Sequence, residues 1–307
     1  MTDLRQAVTD YLVTRRALGF KLTRSERLLG DFVRYLEGTG AATITTAHAV
    51  AWATQVDGGA TWKADRLSVV RQWARYVRAL DPAAEVPPAD LLPRDGRRAT
   101  PFLYTEADVR ALMRAAGQLH SRIGQTTYAT LIGLLAVTGM RIGEALRLDR
   151  DDVDWQTGAL TIHKTKFDKS RWLVLHPTTV TALHRYAQQR DRLIAPPRGP
   201  SFFVSQAGTR LRYDNVQWTF GRLVRQVPLV PDGPRSRPRL HDLRHTFAVQ
   251  TLLDWYRQEV DVAARLPILS TYLGHTTPRD TYWYLSATPD LLRLAAHRLE
   301  HLGRDRP

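Results

Sequence analysis

The residues of this chain that could do chemistry are two arginines, two histidines and a tyrosine, which fall in three short motifs. The motifs are Thr-Gly-Met-Arg-Ile-Gly-Glu around Arg141, His-Asp-Leu-Arg from His241 to Arg244, and Leu-Gly-His ending at His275, nine residues before Tyr284. Guanidinium groups can hold a phosphodiester in bidentate fashion, and imidazoles can donate hydrogen bonds or move protons. A tyrosine hydroxyl can attack phosphorus and keep it as a covalent ester. The set therefore suits phosphoryl transfer through a phosphotyrosine.

These motifs resemble the active site of the tyrosine recombinases, also called the phage integrase family. The string Thr-Gly-Met-Arg-Ile-Gly-Glu-Ala-Leu around Arg141 is similar to the family's first arginine motif, and the eight residues from His241 are similar to its His-x-x-Arg motif. The resemblance implies that Arg141 and Arg244 hold the scissile phosphate. His241 and His275 would donate hydrogen bonds or transfer protons, and Glu144 would support Arg141 from the same helical face.

Two neighbouring tyrosines, Tyr282 and Tyr284, compete for the role of nucleophile. The family's spacing from the histidine selects Tyr284. Two residues away on a helix, Tyr282 would face a different side, and we assign it and Trp283 to packing. A free tyrosine has a pKa of about 10, so Tyr284 would need neighbouring cations and hydrogen bonds to assist its deprotonation.

The resemblance also implies a lysine on a β-hairpin that protonates the departing 5′ oxygen. Aligning Lys-Phe-Asp-Lys-Ser-Arg with the family's Lys-Gly-x-Lys-x-Arg hairpin selects Lys166, and Lys164 is the alternative. Phe167 stands where the family has glycine, which leaves the turn geometry and the choice between these lysines open.

Composition favours a polyanionic partner, because the 307 residues carry a formal charge of +14 and the pI is near 10.5. The excess of basic residues is two in residues 1–93 and twelve in residues 94–307. Nucleic acid is the leading candidate, although charge alone leaves RNA and an acidic membrane surface open. The chain has no cysteine, which excludes disulfides and cysteine–zinc sites. We find no signal-peptide core and no apolar stretch of membrane length, and we expect a cytoplasmic, DNA-associated protein.

Hydrophobic periodicity predicts a mainly α protein with a small antiparallel β-sheet in its C-terminal domain. Four helices occupy the first 80 residues, prolines between 81 and 101 interrupt the pattern, and strands are expected between 153 and 175. We place a helical N-terminal domain at 1–93, a linker at 94–101 and a second domain at 102–307. The resemblance implies that these are a core-binding (SAM-like) DNA-binding domain and a catalytic domain, which together form a C-shaped clamp around double-stranded DNA.

The fourth helix carries a basic face, which is either an ordinary solvated face or a surface for DNA. This face comprises Lys63, Arg66, Arg71, Arg75 and Arg78. From this helix, the linker and the hairpin we take four candidate DNA contacts, namely Lys63, Arg71, Arg97 and Lys164.

A final helix is expected at 289–302, with one apolar stripe. The stripe consists of Leu291, Leu292, Ala295, Leu299 and Leu302. We expect it to pack on the chain's own core, with docking onto a neighbouring protomer as the alternative.

The resemblance implies a reaction that needs neither metal nor ATP, since protein cations stabilise the transition state and the phosphotyrosine conserves the energy of the broken bond. Four protomers would exchange strands between two DNA sites through a Holliday junction. A type IB topoisomerase, which uses the same 3′-phosphotyrosyl step, and a non-catalytic DNA-binding protein are the alternatives. The sequence leaves open the target site, the accessory proteins and the biological role among phage integration, transposition, integron-like capture and chromosome-dimer resolution.

Overall fold

The computed structural model describes residues 3–94, 100–163, 170–230, 238–275, 277–286 and 288–304. The chain divides into two compact units, Met1–Arg98 and Ala99–Pro307. Both units are built from helices, and the second also contains a three-stranded antiparallel sheet. The expected fold class, mainly α with a small antiparallel sheet in the C-terminal part, is therefore confirmed.

Among its described residues, the first unit contains four helices, α1 Leu4–Ala17, α2 Thr23–Gly38, α3 Thr46–Thr54 and α4 Ala60–Val77. Side-chain caps define two of their beginnings: Asp3 accepts backbone hydrogen bonds at the start of α1, and Thr45 accepts one from His48 at the start of α3. The core is aromatic, with the Phe32 ring centroid 5.1 Å from that of Trp52 and 6.2 Å from that of Trp73. All three side chains are fully buried.

The proline-rich stretch after α4 packs onto the first unit as far as Arg94. Ala84 is buried in the core, and Arg94 pairs with Asp65 at 2.9 Å. Proline has no N–H, so the carbonyls of such a stretch need donors from elsewhere. Arg71 supplies them by donating from Nε and Nη2 to the carbonyls of residues 87–89. The stretch from the end of α4 to Arg94 is therefore part of the first unit.

The second unit has nine helices and three strands among its described residues. The helices are α5 Glu106–Ala116, α6 Arg122–Thr138, α7 Ile142–Arg147, α8 Pro177–Leu193, α9 Tyr213–Gln226, α10 Asp242–Arg257, α11 Val262–Leu273, α12 Arg279–Tyr282 and α13 Pro289–Arg304. The strands are β1 Val153–Asp154, β2 Ala159–Ile162 and β3 Arg171–Val174, in the order β1-β2-β3. In the β2–β3 register, Leu160 lies opposite Leu173 and Ile162 opposite Arg171. Short 3-10 helices lie at Arg150–Asp152 and Trp283–Ser286.

Local signals explain most of these boundaries. Thr105 and Asp108 form a capping box at the start of α5. Gly139 and Gly274 end α6 and α11 in the left-handed conformation, with φ of 59° and 68°. Asp261 caps the start of α11 by accepting from the N–H of Ala264.

Two apolar clusters support the second unit. The larger joins α5–α9 and the sheet, while the smaller joins α10, α11 and the start of α13 and contains Tyr284. Leu291 of α13 is buried in this smaller cluster, whereas Leu292 is exposed. The first turn of α13 therefore packs on its own chain, and the side chains of Leu299 and Leu302 lie outside the described residues. Within the described parts of the chain, no helix combines the length and apolar character needed to cross a membrane.

Candidate active site

Arg141 is the N-cap residue of α7, and its guanidinium donates to two acceptors, Glu144 and the carbonyl of Gly274. Its backbone N–H donates to Glu144 Oε2 at 2.9 Å, and its Nη1 donates to Glu144 Oε1 at 3.0 Å. Its Nη2 donates to the carbonyl of Gly274 at 2.8 Å. The side chain nevertheless stays 35% exposed. The guanidinium is thus fixed in place with one side open to solvent.

Glu144 is a buried carboxylate that joins two arginines. Its side chain is only 2% exposed and accepts from Arg171 Nη1 at 3.1 Å and Nη2 at 2.9 Å, in addition to Arg141. Burial opposes ionisation, but the hydrogen bonds and charge of Arg171, followed by those of Arg141, outweigh it and lower the pKa of Glu144. The carboxylate is therefore negative at neutral pH.

Arg244 projects from the first turn of α10 and is almost completely buried. Its Nη1 donates to the carbonyl of Gly139 and its Nη2 to the carbonyl of Leu273, both at 2.8 Å. Burial, followed by the charge of Arg141, lowers the pKa of Arg244 to about 10. The group remains cationic at neutral pH.

The C-terminus of α11 organises all three arginines. The successive carbonyls of Tyr272, Leu273 and Gly274 accept from Arg171, Arg244 and Arg141, respectively. The last carbonyls of a helix lack partners within it and carry partial negative charge, so they suit cationic donors.

His275 follows directly on this carbonyl row. Its Nδ1 lies 2.7 Å from Thr281 Oγ1, a hydrogen bond that orients the ring. Burial, followed by the charges of Arg244 and Arg141, lowers the pKa of His275 to about 4. The imidazole is therefore neutral at neutral pH in this state of the protein.

Tyr284 lies inside the site, whereas Tyr282 does not. Tyr284 is 2% exposed, and its ring lies 6.0 Å from that of His275 and 5.5 Å from that of His245. It also lies within electrostatic range of Arg244. Tyr282 is 54% exposed, so our assignment of this residue to packing was wrong. It points away from the apolar cluster that its neighbours join.

His241 stands at the N-terminus of α10, with its ring 4.7 Å from that of His245 in an edge-to-face arrangement. Desolvation, followed by the charge of Arg244, lowers the pKa of His241. Because His245 contacts both His241 and Tyr284, these rings form one aromatic group. The structure thus places all five predicted Arg, His and Tyr residues around one site.

The remaining candidates lie elsewhere. Lys166, Lys164 and Arg97 are outside the described residues. Lys63 is half-buried on α4, and Arg71 is engaged with backbone carbonyls as described above.

One member of the expected basic face on α4 is not available to a partner. Arg66 is buried, donates to the carbonyl of Trp52 at 2.9 Å and stacks over its ring at 3.7 Å. The basic face therefore does not extend through Arg66, because aromatic and backbone contacts inside the unit engage its guanidinium.

Sequence reasoning missed three supporting residues. Arg171 holds Glu144, Thr281 orients His275, and buried Asp242 anchors the start of α10 through a two-point ion pair with Arg239. A signal for Arg171 was present, since it is the last residue of the Lys-x-x-Lys-x-Arg string. An acidic residue in the first turn of a helix was the signal for Asp242.

This arrangement suits a tetrahedral anion. Arg141 and Arg171 bind the carboxylate of Glu144, and Arg244 lies within electrostatic range of it, so these three cations and one anion leave net positive charge beside the open side of Arg141. A phosphate diester would meet fixed donors there and a buried tyrosine hydroxyl close by. Among the described residues, no group of three acidic or histidine side chains could hold a metal ion.

Comparisons with known proteins agree with this description. The profile of the phage integrase family matches residues 103–290. "Putative integrase/recombinase y4rB" of Sinorhizobium fredii (strain NBRC 101917 / NGR234) is 43% identical over 314 aligned residues, which cover 100% of both chains. The Tn1549 transposon integrase in complex with transposon right end DNA has a TM-score of 0.66 at 19% identity, covering 98% of this chain and 100% of that one. A lambda integrase tetramer bound to a Holliday junction has a TM-score of 0.60 at 16% identity, covering 92% and 76%.

Proposed function

The chain belongs to the phage integrase family, the tyrosine recombinases, and we propose that it cleaves and rejoins DNA at specific sites through a 3′-phosphotyrosyl intermediate. The observation that carries this proposal is the burial of Tyr284 next to His275 and within electrostatic range of Arg244.

In the proposed reaction, Arg141 and Arg244 hold the non-bridging oxygens of the scissile phosphate. Each guanidinium is already hydrogen-bonded to a helix-terminal carbonyl, so little reorganisation is needed when charge accumulates on the phosphorane. His275 and His241 serve as hydrogen-bonding or proton-transfer groups. The Tyr284 hydroxyl gives its proton to His275 or His241 as its oxygen forms the bond to phosphorus and the bond to the 5′ oxygen breaks. Lys166, or Lys164, gives the departing 5′ oxygen its proton.

We further propose that the two units together hold double-stranded DNA as a clamp, and that four protomers exchange strands through a Holliday junction. Support comes from the similarity in fold to the lambda integrase tetramer, which was solved on such a junction. The reaction as proposed needs no metal or nucleotide, because side chains supply the positive charge and the phosphotyrosine retains the bond energy.

A hollow between α1 and α4 offers a DNA contact in the first unit. It has a volume of about 390 Å³ and is lined by Tyr11, Arg15, Ser68, Arg71, Gln72 and Arg75. Arg15 stacks on Phe20 at 3.9 Å and has a buried Nε without a hydrogen-bond partner. Burial, followed by the charge of Arg75, lowers the pKa of Arg71.

Three guanidiniums thus share one hollow together with two hydroxyl groups and an amide. The three guanidinium groups repel one another in the absence of an anion. A phosphate of the DNA backbone has the negative charge and the acceptor oxygens that these groups can bind. We propose this hollow as the main phosphate contact of the first unit, with Arg71 supported from behind by the carbonyls of residues 87–89.

The proposed function is tested by covalent trapping. A nicked suicide substrate containing the recombination site is incubated with each variant in EDTA, and the 3′-linked adduct is quantified. Wild type and Tyr282→Phe should both form the adduct. Tyr284→Phe should form none while it still binds DNA, because it removes only one hydroxyl from a buried ring.

Other outcomes would redirect the proposal. Loss of the adduct in Tyr282→Phe but not in Tyr284→Phe would identify the other nucleophile. A requirement for magnesium in the first strand cut would contradict the mechanism. Relaxation of supercoiled plasmid lacking any specific site would instead indicate a type IB topoisomerase.

A further inference from the structure

Arg171 lies at the start of β3 and contacts two other elements of the site. Its Nη1 and Nη2 hold the two oxygens of Glu144, and its Nε donates to the carbonyl of Tyr272 at 2.9 Å. Its side chain is largely buried, and no contact places it at the open side of Arg141. It therefore connects the sheet, the first turn of α7 and the end of α11.

Glu144 Oε1 connects Arg171 to Arg141. The same oxygen accepts from Arg171 Nη1 at 3.1 Å and from Arg141 Nη1 at 3.0 Å. A carboxylate held at two points by a planar guanidinium has one allowed orientation. The position of Oε1, and with it that of Arg141, therefore depends on Arg171.

The guanidinium of Arg171 also covers Gly274. A Cβ atom at Gly274 would lie 2.7 Å from Arg171 Nη1 and 2.9 Å from its Cζ. The carbonyl of that same glycine is the second acceptor for Arg141. Arg171 therefore contacts both groups that accept hydrogen bonds from the Arg141 side chain, the Glu144 carboxylate and Gly274.

From these contacts we infer that Arg171 is a positioning residue for the proposed strand cleavage, acting through Glu144 and Gly274 to hold Arg141 against the scissile phosphate. In this role Arg171 acts on the phosphate only through Arg141. This inference rests on the proposed function, since it assigns a task to Arg141 in that reaction.

Loss of Arg171 should slow chemistry and spare DNA binding. Displacement of a positioned group by about 1 Å can cost about 10²-fold in rate, so Arg171→Ala should form the adduct 10- to 100-fold more slowly under saturating DNA. The apparent dissociation constant for DNA should change less than threefold. Arg171→Lys should recover only part of the rate, because an ammonium cannot span both oxygens of Glu144 and the Tyr272 carbonyl.

A substrate with a methylphosphonate at the scissile position separates positioning from general damage. This group lacks one charged non-bridging oxygen, so cleavage of it should depend less on Arg141. If Arg171 acts through Arg141, the defects of Arg171→Ala and Arg141→Ala should both shrink on the methylphosphonate. Arg190→Ala is the control, because Arg190 is another buried arginine of the second unit, which binds Asp191 and the Phe202 carbonyl.

The outcomes are distinct. A rate for Arg171→Ala equal to that of wild type, or a defect of the same size on both substrates, would overturn the inference. If Arg171→Ala does not fold, the same comparison is made with Arg171→Lys, which keeps the cation and the stem. Absence of any adduct with wild-type protein would instead contradict the proposed function.

Discussion

Replacing Glu144 with glutamine should destabilise the second unit strongly, although the two side chains have nearly the same shape. The carboxylate accepts four hydrogen bonds, two from Arg141 and two from Arg171, at 2.9–3.1 Å. An amide keeps one oxygen and turns an NH₂ group towards these donors. Removing one partner from a buried ion pair costs about 3–5 kcal/mol, which for a unit of this size corresponds to a Tm lower by roughly 6–20 °C.

Scanning calorimetry of the full chain provides the measurement, with the transition of the first unit as an internal reference. Glu106→Gln is the matched control, because Glu106 pairs with Arg110 on the same unit but is 86% exposed. An exposed pair of this spacing contributes about 0.3–0.5 kcal/mol, so the control should lower Tm by no more than about 2 °C.

The effect should also depend on pH. The folded pKa of Glu144 is lowered below its ordinary value of 4.5, so its ionisation stabilises the fold fully above that value and loses this contribution as pH falls through the folded pKa. The difference between wild type and Glu144→Gln should stay constant from pH 7 to 5.5 and narrow below pH 4.5. A variant no less stable than Glu106→Gln, or a difference that widens in acid, would refute the reasoning.

Three further predictions concern the neighbouring groups. Gly274→Ala should slow adduct formation at least about tenfold. Gly40→Ala is the control, because Gly40 has the same φ of 68° but no atom within 4 Å of the added Cβ. It should lower the free energy of unfolding by the cost of a left-handed alanine, about 1–2 kcal/mol, and leave the rate of adduct formation unchanged. By NMR titration, His275 should stay neutral down to about pH 5 in the free protein, consistent with a pKa of about 4, and its pKa should rise when a DNA phosphate adds negative charge. A value near 6.5 in the free protein would contradict the crowding by Arg244 and Arg141. Arg75→Gln should reduce the slope of log DNA affinity against log salt concentration by about one. Arg34→Gln is the control, because Arg34 is an exposed arginine paired with Asp31, and it should leave the slope unchanged. Equal slopes for wild type and both variants would exclude the hollow as a phosphate contact.

Much of the fold could be predicted from the sequence because its signals are local. Helical periodicity, the Thr45 cap and the Thr105 capping box all act within a few residues, and the structure shows the corresponding helices. The segment 279–286 was missed because its two helices have four residues each, too few for a period to be seen. Tyr282 is the last residue of α12 and faces outwards, which the spacing between His275 and the two tyrosines did not show.

The pattern of charges predicted the basic face of α4 less well than local signals predicted the helices. Arg66 and Arg71 look alike in sequence to Arg75, yet one stacks on Trp52 and the other binds the carbonyls of residues 87–89. A guanidinium has five donors, and backbone carbonyls are acceptors that leave no side-chain signature. A run of arginines therefore cannot be divided into free and engaged members until the chain is folded.

Backbone acceptors, which leave no signal in the sequence, also connect the separate motifs of the candidate active site. Each motif predicts an arginine or a histidine, but the shared acceptors are the bare carbonyls of Tyr272, Leu273 and Gly274. At this helix end Arg141, Arg171 and Arg244 repel one another, and burial, followed by the charge of Arg141, lowers the pKa of Arg244 to about 10. A phosphate bound as we propose adds negative charge here, so the repulsion among the arginines is replaced by attraction to the substrate. We therefore propose that the positive charge that Glu144 does not balance is the physical basis for phosphate binding at the open side of Arg141.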